Sequence, residues 1–595
     1  MPIFFNKIRS FFGDTTRTQW VVFVAFVVFL CIHFYLMSHV LFFDSGGSLH
    51  STFYGYGDTP YHLTQVTKFG YSSLTNLNEP TFLGEKLHYP FFINFLSGML
   101  VRITGSLVFS FLLPAYIFIF LNACLVYQIY KKCIGKARYA VLGLFIFFLG
   151  TGFAGYGFLQ KAYQDKMGPV ALFEYLSHNN LSTTVIWQDA YPEQSVIFGT
   201  PMVLSFLHQR AFLPGLFGFS LFLLLLIKMW QERGRVKRSL IIATAIVFGI
   251  LPIMHTHSFV CASIVFGVFG LFSLFYKRFD LFKKYLFIAI LGGLVALPQI
   301  WYLVGTKTVF SASATFISYR LGWMSEPAFG GMNFPTGAPR SIFSWVFVHF
   351  TFLNFGAILI AFLLAWLLYL LRNRMNFVRE IFSRAELPIL LGFTGLLIFV
   401  IGQLFRFQPW DFDNNKIFEY YQFFAVPFIL FILSKIYDKK KTLGVVLLVI
   451  FTVLSIFSGI LEIVPRLIKT IPEEPVIFSP AALRLADFIK TNIPEGDLIV
   501  TGTTHLNPVA SLAGRGVLVG YPGWLWTHGI NYGAREEEIK KFYANPSKSD
   551  LAQKYNAKYA LFDSWSVSDF KADKKNFDAR FQKVFEEGEY TLYKI

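Results

Sequence analysis

Long apolar segments separated by short basic segments dominate the chain between residues 20 and 464. Because a helix needs about 20 apolar residues to cross a bilayer, this pattern predicts eleven membrane spans. The stretch from Ser239 to Tyr276 counts as two of them, since Pro252 and the His-Thr-His at 255–257 divide it into a hairpin. The predicted spans are 20–43, 106–130, 138–158, 211–229, 239–254, 257–276, 285–304, 343–371, 386–405, 416–436 and 442–464.

The distribution of basic residues predicts the orientation of these spans. Basic clusters fill the N-terminal segment and every second loop, including RGRVKR at 233–238 and KRFDLFKK at 277–284. The intervening loops are longer but carry few basic residues, and basic loops stay on the cytoplasmic side. We therefore expect a multi-pass protein of the plasma or inner membrane with a cytoplasmic N-terminus. Its first apolar run is too long for a cleaved signal and is expected to remain as the first span.

The composition of the chain changes after Pro465. Residues 475–595 are more charged, and helical patterns alternate there with short β-rich runs such as DLIVTG and YALFD. Such alternation predicts a soluble α/β domain, which an odd number of spans places outside. The fold class is thus a polytopic α-helical membrane protein with a C-terminal soluble α/β domain. Its predicted parts are a membrane domain, 1–470, with long outer loops at 44–105 and 159–210, and the soluble domain, 475–595.

Composition excludes several classes of protein. Hydrophobic residues make up 55%, charged residues only 15%, and the mean hydropathy is +0.52. A soluble chain carries about 25% charged residues, so a soluble enzyme and a disordered protein are excluded. The net charge of +17 lies in the basic loops, which is typical of contact with anionic lipid rather than nucleic acid. Polar residues collect in the outer loops and not within the spans, which favours an enzyme over a transporter.

The first outer loop carries the acidic motif GYGDTPYH, residues 55–62. Asp58 precedes Thr-Pro and a helical run, so one interpretation is a helix N-cap. The other is a general base at the membrane surface, with His62 one helical turn away on the same face. His88, in LHYPFF, has two interpretations as well: an interfacial ring, or a contact with a phosphate or a sugar.

A second polar motif, PWDFDNNKIFEYY, occupies 409–421. One helix cap needs only one polar residue, so the density of polar side chains favours a function. Lys416 is suited to binding a phosphate as a point charge. The spacing of Asp411 and Asp413 is suited to a hard divalent cation such as Mg or Mn, although so short a motif is not specific.

Three further motifs supply candidates with open alternatives. Arg210, in HQRAFLPG, either extends its charge towards water or binds a lipid phosphate. His255 and His257 are candidate metal ligands, phosphate contacts or interfacial residues. Trp524 and His528, in YPGWLWTHGINYGAR, either dock onto the membrane domain or stack on a sugar ring.

Together these features resemble the GT-C superfamily of membrane glycosyltransferases. Its members have a multi-span bundle, an acidic residue soon after the first span and, in many cases, an outer C-terminal domain. Asp58, fifteen residues after Phe43, matches the acidic position. The motifs HTHSF, HQRAFLPG, PWDFDNNK and GYPGWLWTHG are similar to those of uncharacterised prokaryotic members. The protein O-mannosyltransferases and aminoarabinose transferases are more distant. The first loop lacks the adjacent Asp-Glu pair of the protein O-mannosyltransferases, and the chain lacks the WWD-type motif of the oligosaccharyltransferases.

The resemblance implies transfer of a sugar from a polyprenyl-phosphate donor, with inversion, to a glycan, lipid or protein acceptor. Asp58 would be the catalytic base. The substrate and phosphate contacts would come from His62, His88, Arg210, His255, His257, Arg340, Lys416, Trp524 and His528. No nucleotide is needed outside, which fits the absence of a glycine-rich phosphate loop from the sequence. The alternatives are a flippase or transporter of lipid-linked sugars and a cell-envelope assembly protein.

Overall fold

The computed structural model describes residues 15–52, 55–171, 174, 199–232, 236–304, 317–319, 321–322, 345–373, 387–408, 411–467 and 474–595. Its contacts divide the chain into two units. Unit 1 comprises Met1–Leu36, Phe118–Gln299 and Phe316–Pro472, and unit 2 comprises Met37–Ile117, Ile300–Thr315 and Glu473–Ile595. The segments 44–105 and 475–595 thus both belong to unit 2. A domain boundary at 470–475 stays a prediction.

Nine helices of the described residues are long and apolar enough to cross a membrane. Large apolar side chains on their surface, such as Trp20, Leu294 and Leu371, are more than 60% exposed, as contact with lipid requires. The chain is therefore an integral membrane protein. The nine helices are Thr16–Ser38, Leu107–Ile134, Phe212–Gln231, Thr256–Phe275, Phe279–Val304, Trp345–Asn373, Leu387–Leu404, Lys416–Lys439 and Lys441–Leu467.

The other two predicted spans have a different form, and the count of eleven is not confirmed. The segment 138–158 is a bent pair, Ala137–Leu149 and Ala154–Gln164, with an angle of 72° between its helices. The segment 239–254 contains the short helices Arg238–Gly249 and Leu251–Met254. Among the described residues, nine spans meet the length criterion, or ten if the bent pair is one span.

The bend at 150–153 has a packing cause. A Cβ on Gly152 would lie 2.1 Å from the carbonyl oxygen of Leu353, so only glycine permits this approach of two backbones. The carbonyl of Leu353 accepts a hydrogen bond from the Phe153 amide at 2.8 Å. The hydroxyl of Ser458 donates to the Gly152 carbonyl at 2.8 Å. These contacts replace helical hydrogen bonds at the break, so the bend is stable inside the bundle.

Unit 2 contains two sheets and a set of short helices. A three-stranded sheet pairs Leu41–Phe43, Leu49–Ser51 and Val476–Phe478. A four-stranded sheet has the spatial order Leu498–Val500, Ala557–Phe562, Tyr590–Lys594 and Gln582–Glu587, and only its first pair is parallel. The helices are Asp58–Tyr71, Phe92–Thr104, Pro480–Asn492, Pro508–Ser511, Pro522–Thr527, Gly533–Ala544, Leu551–Tyr555, Ser564–Phe570 and Lys574–Asp578.

The C-terminal region of unit 2 packs on the helix that starts at Asp58. The Thr67 hydroxyl donates to the carbonyl of Ala510 at 3.2 Å, and the Ser511 hydroxyl donates to the carbonyl of Pro60 at 3.1 Å. Gly514 closes this contact with a φ of +68°, and a Cβ there would lie 2.6 Å from the Thr67 carbonyl oxygen. The helix of Asp58 is therefore fixed by residues more than 440 positions away.

Gly514→Ala is expected to destabilise unit 2. Alanine would have to adopt a left-handed conformation and displace the Thr67 carbonyl, at a cost of about 1–3 kcal/mol. The matched control is Gly533→Ala, at the first position of a helix, where a Cβ has open space. Thermal unfolding of the purified protein in detergent should show a lower melting temperature for Gly514→Ala alone. Equal melting temperatures for both variants would contradict the close packing at Gly514.

Candidate functional site

Asp58 is the first residue of the helix Asp58–Tyr71, and the N-cap position belongs to Gly57. The capping interpretation of Asp58 is therefore not what the structure shows. Its side chain is partly exposed, in the first helical turn, where the partial positive charge of the helix terminus stabilises a carboxylate. Asp58 thus combines access to solvent with a fixed backbone position.

The turn before Asp58 is fastened to a neighbouring strand. The hydroxyl of Ser51 donates to the Thr59 hydroxyl at 2.8 Å, and the Gly55 amide donates to the Thr52 hydroxyl at 3.1 Å. The amide of Thr59 donates to the Gly55 carbonyl at 2.8 Å. A Cβ on Gly55 would lie within 2.9 Å of all three hydroxyl oxygens. This packing explains why the motif needs glycine and hydroxyl residues beside the acid.

Aromatic rings surround the first turn of this helix. The ring of Tyr61 lies 5.1 Å from Trp524, 5.2 Å from His528 and 5.3 Å from Tyr89, measured between centroids. The indole N–H of Trp524 donates to the carbonyl of Gly57 at 3.2 Å. Trp524 and His528 thus belong to the same cluster as the first-loop motif. Within unit 2, Trp524 holds the residue next to Asp58.

Three of the histidines in unit 2, His62, His88 and His528, are candidate substrate contacts from the sequence analysis. His62 is buried, and its Nδ1 lies 3.1 Å from the amide nitrogen of Asn94. His88 donates from Nδ1 to the carbonyl of Tyr302 at 3.2 Å, and burial lowers its pKa. Burial, and secondarily the nearby His88, lowers the pKa of His528 to about 4. At neutral pH, the ring of His528 is therefore uncharged.

Glu79 is a buried acid that the sequence reasoning missed. It is 3% exposed, and its Oε1 accepts hydrogen bonds from the amide and hydroxyl of Thr81. Its Oε2 accepts from the hydroxyl of Tyr61 at 3.3 Å. Burial raises the pKa of Glu79, and the neighbouring Lys68 lowers it in part. Glu79 lies outside every helical pattern and motif of the sequence analysis, so no local pattern indicates that it is buried and hydrogen-bonded to Tyr61.

Glu79→Gln is expected to disturb the aromatic cluster. The amide of glutamine cannot replace both acceptor oxygens, and a lost hydrogen bond at a buried site costs about 1–3 kcal/mol. We expect a lower melting temperature and a weaker near-ultraviolet signal from Tyr61 and Trp524. The partly exposed Glu85 of the same loop provides the control Glu85→Gln. An unchanged spectrum and melting temperature for Glu79→Gln would contradict a positioning role.

A second polar cluster lies in unit 1, where three distant segments meet. The Ser205 hydroxyl donates to Oε1 of the buried Glu419, and the hydroxyls of Ser258 and Tyr420 are hydrogen-bonded to each other. Nδ1 of His255 lies 2.8 Å from the Ser258 hydroxyl oxygen. The segments 205–210, 255–258 and 413–420, which belong to three separate sequence motifs, therefore meet in unit 1. Glu419, in the motif at 409–421, becomes a central residue through its contact with Ser205.

The histidine pair occupies the start of the helix Thr256–Phe275. His255 is the N-cap, and its ring accepts a hydrogen bond from the Ser258 amide. The rings of His255 and His257 lie 5.4 Å apart, and both are about 4% exposed. The positive charge of Lys416 is close enough to interact with both imidazole rings. The pair therefore belongs to the same site as Lys416.

Two basic residues of this site are buried. Arg210 is 3% exposed, so its charge does not extend towards water as one interpretation expected. Lys416 is 8% exposed and lies 3.1 Å from Oδ1 of Asp413. Buried cations need compensating partners, and the Asp413 carboxylate compensates Lys416. Arg340 lies outside the described residues.

Metal binding by the acidic pair has limited support. Asp413 is engaged by Lys416, and the side chain of Asp411 lies outside the described part of the chain. Among the described residues, no group of three or more His, Cys, Asp or Glu side chains comes together. Asp413 is thus already paired with a cationic side chain, and we derive no step through a metal.

An apolar cavity of about 280 Å³ lies farther along the helix that carries Lys416. It is bounded by the helices Trp345–Asn373, Lys416–Lys439 and Lys441–Leu467 of unit 1. Ile429, the first residue of Lys416–Lys439 to line it, is about 20 Å from Lys416 at the rise of an α-helix. Its lining includes Ala357, Ile360, Leu364, Ile429, Leu433 and Leu454.

Comparison with solved structures identifies the fold of this chain. No protein-family model matches the sequence, and no curated protein matches it. Among solved structures, ArnT from Cupriavidus metallidurans in the apo state superposes with a TM-score of 0.50 over 97% of this chain and 98% of that chain, at 9% identity. The chain has a GT-C fold. This confirms the predicted resemblance at the level of the fold.

Two further structures show weaker likeness. ArnT from the same organism bound to undecaprenyl phosphate has a TM-score of 0.47 at 10% identity, covering 97% of this chain and 98% of that chain. The oligosaccharyltransferase of Archaeoglobus fulgidus in the apo form has a TM-score of 0.48 at 13% identity. It is covered over 69% of its length, and this chain over 91%.

Proposed function

We propose that this protein is a membrane glycosyltransferase that transfers a sugar from a polyprenyl-phosphate donor to an acceptor on the outer face of the membrane. The observation that carries the proposal is the setting of Asp58. In a chain with a GT-C fold, the partly exposed acid begins a helix whose N-terminus is held by Trp524 and surrounded by aromatic rings. A carboxylate that is fixed but accessible is what a general base requires.

Acceptor activation is assigned to unit 2. Asp58 takes the proton of an acceptor hydroxyl while the hydroxyl oxygen forms a bond to the anomeric carbon of the sugar. The bond from that carbon to the phosphate oxygen breaks, and attack opposite the leaving group inverts the anomeric configuration. His62, His88, Trp524 and His528 are assigned to positioning the helix and the substrate rather than to charge stabilisation.

Binding of the donor phosphate is assigned to unit 1. Lys416 and Arg210 supply positive charge in a buried site, where electrostatic stabilisation of a leaving phosphate is strong. His255 and His257 supply hydrogen bonds there. ArnT, which shares the fold, has been solved with undecaprenyl phosphate. The apolar cavity on the helix of Lys416 would accept part of the donor tail.

The proposed orientation follows from the basic loops, which place the N-terminus in the cytoplasm and the region 475–595 outside the plasma or inner membrane. A divalent cation, Mg or Mn, at Asp411 and Asp413 stays a hypothesis. Full transfer activity after exhaustive chelation would remove it, and restoration of lost activity by Mn alone would support it.

The transporter alternative makes a different demand on the spans. It predicts ionisable residues at mid-membrane, whereas the buried acids Glu419 and Glu462 lie near the ends of their helices. An assay in sealed vesicles distinguishes the glycosyltransferase from the transporter, and both from a cell-envelope assembly protein. We expect label from a radioactive polyprenyl-phosphate sugar to appear in a new glycosidic product. Label that crosses the membrane unchanged would support the transporter, and label that remains on the donor outside would contradict both activities.

A further inference from the structure

Three aromatic side chains near Asp58, those of Tyr56, His505 and Tyr521, are not used by the proposed mechanism. Tyr56 lies two residues before Asp58, and its ring is 4.8 Å from that of His505. The ring of His505 is 5.4 Å from Tyr521, and Tyr521 is 5.4 Å from Trp524. The indole N–H of Trp524 in turn donates a hydrogen bond to the carbonyl of Gly57, the residue after Tyr56. Four rings from distant parts of unit 2 therefore surround the backbone immediately before the proposed base.

The packing of these pairs leaves two of the four rings partly exposed. All three are edge-to-face, with interplanar angles of 73°, 61° and 75°. Tyr521 is 38% exposed, and Tyr56 is partly exposed. Burial of all four rings against one another would be the expected state of a structural core. Two partly exposed rings next to a partly exposed carboxylate instead favour a surface that receives a ligand.

The position of the Tyr521 ring is fixed by the backbone. A Cβ on Gly523 would lie 2.5 Å from Cε1 of Tyr521, so the ring rests directly on the glycine. Tyr521 is also the N-cap residue of the helix Pro522–Thr527. A ring that is already immobile loses little side-chain entropy when a ligand stacks on it. Such preorganisation favours binding over a merely incidental exposure.

His505 adds an unsatisfied polar group to this surface. Its Nε2 is buried and has no hydrogen-bond partner among the described residues. Such groups carry a cost unless a ligand or water completes them. Tyr56, His505 and Tyr521 therefore offer aromatic rings with hydroxyl and imidazole groups at their edges.

We propose that Tyr56, His505 and Tyr521 form an acceptor subsite that binds a saccharide. A sugar ring offers a face of C–H groups that stacks on an aromatic face, and its hydroxyls bond to tyrosine and imidazole groups at the rim. This inference rests on the proposed function, because the bound saccharide would present its hydroxyl to Asp58. It makes the acceptor a glycan, rather than a peptide or an acyl chain.

The test is a binding measurement without any donor. The full-length protein in detergent is applied to an array of immobilised oligosaccharides with glucose, mannose, galactose and arabinose units, together with peptides of matched length. We expect binding to at least one saccharide, weakened about tenfold or more by Tyr521→Ala through loss of an aromatic anchor. The control is Trp565→Ala, which removes a ring of similar exposure, 40%, on another helix of unit 2. It should bind as wild type does.

One further variant makes the outcome decisive. His505→Ala should also weaken saccharide binding, because it removes an imidazole group from the rim of the subsite. Binding of peptides alone, no binding to any saccharide, or equal binding by Tyr521→Ala and Trp565→Ala would overturn the subsite. Saccharide binding by a protein that transfers no sugar would support the subsite while refuting the proposed function. Sugar transfer to a peptide would support the proposed function while refuting the saccharide subsite.

Discussion

Asp58→Asn is expected to lower the rate of sugar transfer about 10²–10⁴-fold, because asparagine cannot accept the proton of the acceptor hydroxyl. The substitution preserves the size of the side chain in the first helical turn. Expression, melting temperature and donor binding should therefore stay close to those of wild type. The measurement is the initial rate of label transfer in proteoliposomes with matched amounts of protein.

The control for this experiment is Asp44→Asn in the same loop. Asp44 is an exposed acid whose Oδ2 lies 3.0 Å from Nε2 of His50, and it has no part in the proposed reaction. We expect Asp44→Asn to transfer at nearly the wild-type rate. An Asp58→Asn variant that kept more than about a tenth of the wild-type rate would show that Asp58 is not the base.

Lys416→Met should give the second large effect, a loss of about 10²–10³-fold in the rate of transfer. A buried positive charge near a leaving phosphate stabilises the transition state strongly, and removal of one such group has an effect of this size. Methionine keeps the apolar stem of lysine and removes only its charge. The measurement is the dependence of the transfer rate on donor concentration. Lys136→Met, which removes an exposed lysine paired with Asp438, should leave the rate unchanged.

A structural role for Lys416 makes a different prediction. If the lysine served only to pair with Asp413, then Asp413→Asn would be as harmful as Lys416→Met. We expect Asp413→Asn to retain most of the activity, because it leaves the lysine charged and available to a phosphate. Equal losses of both activity and melting temperature in the two variants would remove Lys416 from the donor site.

The sequence was a good guide to the helices and a poor one to their breaks. Nine predicted spans follow from runs of apolar residues, which the bilayer requires in any membrane protein. The bend within 138–158 depends instead on the approach of Leu353 to Gly152, some 200 residues apart in the chain. Local hydropathy contains no information about such a contact.

The candidate site could be predicted as a set of motifs and not as an arrangement. The motifs around Arg210, His255 and Lys416 each contain unusual polar residues, and the structure joins their segments through Ser205, Ser258 and Tyr420. The contact between Trp524 and Gly57 spans 467 residues. Glu79 and His505 were missed because each is a single polar residue whose environment is made by distant segments.

The most direct test of a glycosyltransferase is the transfer reaction itself. Purified protein in proteoliposomes would receive a panel of radiolabelled polyprenyl-phosphate sugars and membrane extract from the source cell, beside the Asp58→Asn variant. We predict that wild type moves label from one donor into a new product and that Asp58→Asn does not. The control is that native membranes carry out the transfer with the same extract, which shows that the extract contains an acceptor. With that control positive and both proteins folded, no product from any donor would contradict the account.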